Sequence, residues 1–149
     1  MAKRSTLTLF TLGFSLVGAL ALAHSGATGI VKERMDLMSQ IGKDTKAMAA
    51  MARGQAELDW DLIAKAGTFA ASTAKHLPMK FPEDSFKAPS EAKTAIVSDA
   101  AGFKAEVEAL WLSGLALTTA GQTQDEEAFQ LAFSAYATTC SACHKKYRE

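Results

Sequence analysis

From residue 24 onward, apolar side chains recur every three to four positions and nowhere alternate in twos. A period of about 3.6 residues belongs to helices and leaves no material for a sheet-built core. In the first such stretch Val31, Arg34, Met38, Ile41, Thr45, Met48 and Ala52 share one face. The helix is expected from Ala27 to Gly54, glycine being a common stop. A second helix is expected from Asp59 to Leu77, with Leu62, Ala66, Phe69 and Thr73 inward. Pro78, Pro82 and Pro89 all fall in the connection that follows, which no helix can cross. At roughly a dozen residues it is long for a helix–helix link, and such loops often cover a functional site. The third helix is expected from Ser90 to Ala120, carrying Ile96, Ala100, Phe103, Val107, Leu110 and Leu117, with Gly121 ending it. Thr123 and Glu126 stand at capping-box spacing for a fourth, whose inward stripe is Phe129, Phe133, Tyr136, Cys140, Cys143 and Tyr147. Four amphipathic helices joined in this way read as an all-α, antiparallel up-down-up-down four-helix bundle.

One charged residue breaks the first stripe. Arg34 lies on the inward face, where a cation needs a partner or a path to water.

The 149 residues suffice for one domain and one core. A formal net charge of zero argues against the broad basic field that holds nucleic acid. Residues 1–23 have the form of a signal peptide: Lys3 and Arg4, then an uncharged apolar run from Leu7, then Ala21-Leu22-Ala23 as a small-x-small cleavage site. The run falls short of the ~20 residues of a spanning helix. The expected mature domain is therefore residues 24–149, soluble and periplasmic, with no stable membrane insertion. Loss of Lys3 and Arg4 takes the 16 basic residues to 14, against 16 acidic.

Both cysteines lie within ten residues of the end, in "CSACHKKYRE". On a helix Cys140, Cys143 and His144 stand at i, i+3 and i+4 and leave the same face. C-x-x-C-H is the attachment pattern of c-type haem: two thiols bond the porphyrin edge, and the imidazole reaches the iron. A disulfide closing so short a loop constrains little of the unfolded chain. A redox dithiol belongs at a helix N-terminus in a βαβ setting, whereas this pair lies deep in the last helix. Structural zinc wants four ligands, and His24 and His76 are far away in sequence. One covalent haem c per chain, tethered by Cys140 and Cys143, is the expectation.

A four-helix bundle ending in CxxCH and "KKYR" resembles the cytochrome c-prime family, the class II cytochromes c. "VKERMDLMSQIG" is similar to that family's first helix, and "HLPMKFPEDS" to its proline-bearing loop. The resemblance covers essentially the whole mature chain. It departs at Met35, where many relatives carry Gln or Glu, and at Val97, where a Trp is frequent. The resemblance implies His144 as axial ligand, Arg34 near a haem propionate, and Arg148 close to the histidine face. The alternatives are a snorkelling Arg34 and a solvated Arg148. Phe81, Tyr136 and Tyr147 are candidate haem-wall residues or generic core. Relatives often pair through their first two helices, so a homodimer is compatible.

The place facing the iron opposite His144 belongs, in this family, to the residue one turn beyond the arginine, here Met38. A bulky apolar residue there leaves the iron five-coordinate and open to small gases. A methionine thioether completes His/Met coordination and suits outer-sphere electron transfer. Core packing is the plainer role for a methionine, and Met35 is a second candidate ligand. His76 reads as a helix-end residue. The leading expectation is a one-electron carrier with His144 and Met38 on the iron, serving redox partner proteins. The alternative is a five-coordinate protein binding nitric oxide or carbon monoxide. An enzyme such as a peroxidase gains no support, because no distal histidine–arginine pair can be placed.

Overall fold

The computed structural model describes residues 26–149. The expected signal segment 1–23 lies outside them. The described chain forms α1 (Gly29–Ala52), α2 (Trp60–His76), a one-turn α3 (Ala95–Ser98), α4 (Ala100–Thr123) and α5 (Glu126–Tyr147). Two short 3-10 turns, Leu77–Lys80 and Glu83–Phe86, lie between α2 and α3. The four long helices form the bundle.

Three of the long helices begin on an aspartate whose carboxylate accepts a backbone N–H that the helix cannot satisfy itself. Asp59 accepts from Leu62 at 2.9 Å, Asp99 from Gly102 at 3.1 Å and Asp125 from Ala128 at 3.0 Å. The expected capping box at Thr123 is therefore corrected. Thr123 is still inside α4, its hydroxyl donating to the Thr119 carbonyl, and Asp125 caps α5 instead.

Gly121 is not the stop of α4 either. The helix runs on to Thr123 and ends on Gln124 in the left-handed region, φ 54°. Gly121 is buried against Ala64 of α2, where a side chain would strike backbone. The expected third helix also divides. Asp99, at φ −121° and ψ 53°, separates α3 from α4.

The buried face of α2 runs through Ile63, Ala66, Gly67, Ala70, Ala71, Thr73 and Ala74. Leu62 and Phe69, expected inward, are only half-buried. The reason lies in α4. Small residues let the two helices approach until a Cβ on Gly67 would lie 2.5 Å from the Thr118 nitrogen and 2.6 Å from the Gly114 oxygen. The pair α2–α4 is the tightest contact in the bundle, and α1 and α5 meet far more sparsely.

The core around this pair holds Met48, Ile63, Leu117, Phe129 and Tyr136, all fully buried. Each apolar side chain of that size contributes about 1.5–3 kcal/mol on burial. Tyr136 keeps its hydroxyl 3.4 Å from that of Thr45, and burial pushes its phenol up to about 12. It is a core residue rather than a wall of the cavity described next.

Candidate functional site

A cavity of ≈ 290 Å³ lies between α1 and α5. Its floor is Phe103 of α4, and the chain from Leu77 to Ile96 closes one side through Phe81 and Ser90. From α1 it receives Arg34, Met35 and Met38, and from α5 Cys143, His144, Tyr147 and Arg148. Residues more than a hundred positions apart in sequence are thus brought together.

Cys140 and Cys143 are each half-buried on the inner side of α5. Burial, with a smaller contribution from Glu106, pushes the Cys143 thiol up to about 11, and burial also raises Cys140. Such thiols are protonated at neutral pH, the opposite of the lowered pKa of a redox dithiol. His144 is exposed at the mouth of the cavity. Desolvation by its surroundings, then the positive charge of Arg148, hold its imidazole below the usual histidine value. Neutral imidazole is the form that ligates iron.

The last turn of α5, which carries His144, is fastened from outside the helix. The Tyr147 hydroxyl donates to Asp99 at 2.7 Å, holding that carboxyl below its ordinary range, and the Lys93 N–H donates to the Tyr147 carbonyl at 2.9 Å. The Glu149 N–H donates to the Glu91 carbonyl at 2.9 Å, and Arg148 pairs with the Glu91 carboxylate. Arg148 lines the cavity, and its guanidinium is tied to Glu91. Nothing in the periodicity pointed to this fastening. Its only local signal is the tyrosine–arginine pair that closes the motif.

Arg34 is 6% exposed, and no carboxylate pairs with it among the described residues. Its partners are neutral oxygens of the covering loop, and burial lowers its pKa. Its guanidinium lies over Phe81, 4.6 Å from the ring centre. Phe81 meets Phe103 edge-on at 5.2 Å, and Phe103 meets Tyr147 at 5.3 Å. This aromatic run reaches from the loop to the turn beside His144. Met38 and Met35 are both half-buried and both line the cavity. His76 is exposed at the end of α2, with Nδ1 2.9 Å from the Ser72 oxygen, and lies away from the cavity.

These residues fit a covalent haem. Cys143 and His144 line an aromatic, largely apolar cavity, Cys140 packs one turn earlier on the same helix against the core, and the buried cation Arg34 lines the cavity too. The arginine's terminal N–H groups are held by the loop, so haem propionates would feel this cation through space.

Comparison with known proteins agrees with this chemistry. The family model described as Cytochrome C' matches residues 29–148. Cytochrome c-556 of Agrobacterium fabrum is 31% identical over 133 residues, covering 89% of this chain and 90% of that one. The crystal structure of cytochrome c' from Rubrivivax gelatinosus has a TM-score of 0.72 at 30% identity, covering 80% of this chain and 94% of that one. A nitric oxide complex of a mutant cytochrome c prime from Alcaligenes xylosoxidans has a TM-score of 0.71 at 25% identity, covering 80% and 93%.

Proposed function

The chain belongs to the cytochrome c' family, and on that footing we propose an exported haem c protein that presents its iron to a small diatomic gas. Cys140 and Cys143 would tether the haem, one per chain, and His144 would hold its iron. Bound haem supplies a one-electron iron couple and a coordination position. The protein's part is to orient the imidazole, exclude bulk water and shape the opposite side.

The observation that carries this reading is the cavity in front of His144, walled by Phe81 and Phe103, in a chain similar to cytochromes c'. A relative solved as its nitric oxide complex supports a small diatomic gas as the ligand class. In the exported compartment, binding nitric oxide or carbon monoxide stands ahead of the electron carrier favoured by sequence alone.

The electron-carrier reading remains as the second, on one observation. Met38 lines the same cavity as His144, so its thioether has access to the space a gas would use. Met38 holding the iron would suit an electron shuttle, and Met38 packed against the wall would leave room for a gas.

The optical spectrum separates the two. A high-spin ferric form, with ready carbon monoxide binding after reduction, is expected. A low-spin ferric form that resists carbon monoxide would sink the gas-binding reading. In that case Met38→Ala should convert the spectrum to high-spin, establishing the thioether as ligand.

A further inference from the structure

Arginine carries five N–H donors in a planar fork, and the four terminal ones of Arg34 are all taken. Nη1 donates to the Lys80 carbonyl at 2.7 Å and to Ser85 Oγ at 2.8 Å. Nη2 donates to the Ser85 carbonyl at 2.8 Å and to Ser90 Oγ at 2.8 Å. Among the described residues only the Nε–H is left over. The acceptors span the covering loop from Lys80 to Ser90, and the loop is itself braced. Ser85 Oγ donates to the Pro82 carbonyl at 2.7 Å, and Ser90 Oγ accepts from the Ala92 N–H at 3.2 Å. The fork also seats Phe81, whose ring is part of the cavity wall.

We propose that Arg34 is the latch of this loop: a positioning residue that holds Lys80–Ser90, and Phe81 with it, as one wall of the cavity. With its terminal donors spent on the loop, the guanidinium acts through geometry. Any attraction it exerts on an anionic edge of the bound group is through space. The latch stands whether the position opposite His144 is open or filled by Met38, so its test is independent of the iron's coordination.

The test is hydrogen exchange on the haem-loaded protein. Arg34→Lys keeps the charge, but one ammonium cannot reach acceptors spread along ten residues of loop. Arg34→Gln removes the charge and the fork together. A latch predicts that both variants speed exchange across residues 80–90 by roughly ten-fold or more, with α2 and α4 unchanged. Ser85→Ala combined with Ser90→Ala, which keeps the arginine, should loosen the same segment to a lesser degree. Native exchange in Arg34→Lys with loosening only in Arg34→Gln would assign the role to charge and overturn the proposal. Unchanged exchange in the double serine variant, which guards against a misfolded arginine variant, would overturn it equally.

Discussion

The same substitution, glycine to alanine, should have opposite signs at two helical positions of this protein. Gly42 lies on the exposed side of α1, and a Cβ built there meets nothing within 4 Å. Only backbone entropy and helix propensity change, and both favour alanine by about 0.8–1 kcal/mol. Gly67 lies on the face of α2 that meets α4, where the new Cβ would stand 2.5 Å from the Thr118 nitrogen and 2.6 Å from the Gly114 oxygen. Those are backbone atoms, so no side chain can rotate away. The helices must separate, and the overpacking costs about 1–3 kcal/mol or somewhat more, outweighing the propensity gain. For a domain of this size 1 kcal/mol moves the midpoint by about 3–5 °C. Thermal melting of the haem-loaded variants at matched concentration reads the difference. Gly42→Ala should melt a few degrees above the parent and Gly67→Ala several degrees below it. A Gly67→Ala variant that melts with or above the parent would refute the close α2–α4 approach.

Covalent attachment is tested by acid–acetone extraction: haem should stay with the parent protein and leave a Cys140→Ser, Cys143→Ser double variant. Acid should probe Asp99, whose carboxyl is held down by the Tyr147 hydroxyl, then by the Gly102 N–H. A lowered folded pKa means its stabilisation is present above the ordinary value of 3.8 and is lost as pH falls through the folded value. Asp99→Asn should therefore be less stable than the parent near neutrality, with the gap closing below about pH 4. Denaturant midpoints at several pH values check this, and a gap that is constant with pH counts against it.

The helices were legible because this chain punctuates strongly. Three prolines in one link and an aspartate before α2 leave little choice of boundary. Gly121 misled because a glycine after a helical run has two uses, ending the helix or admitting a neighbour, and only the position of α2 decides between them. The α2 stripe was read correctly at Ala66 and Thr73 but wrongly at Leu62 and Phe69, for a related reason. Its working face is alanine and glycine, and hydropathy favours the larger Leu62 and Phe69, which stay half-buried. The haem tether was readable from five adjacent letters, since Cys140, Cys143 and His144 are local to one helix. Arg34 could be recognised as an anomaly but not resolved. Its acceptors are two backbone carbonyls and two serine hydroxyls lying 46 to 56 residues away, types that carry no sequence signal. The fastening of Tyr147 to Asp99 was hidden likewise, because it joins the first turn of one helix to the last turn of another.

The close seating of α2 on α4 has a consequence for how such a protein can diversify. The demanding geometry sits in one helix pair, while Met35, Met38, Cys143 and His144 line the cavity from two helices that meet sparsely. A change at Met35 or Met38 alters what the cavity admits without asking Gly67 or Gly114 to move. Chemistry and architecture are drafted on separate pages, so a lineage can revise the first repeatedly while the second goes unedited.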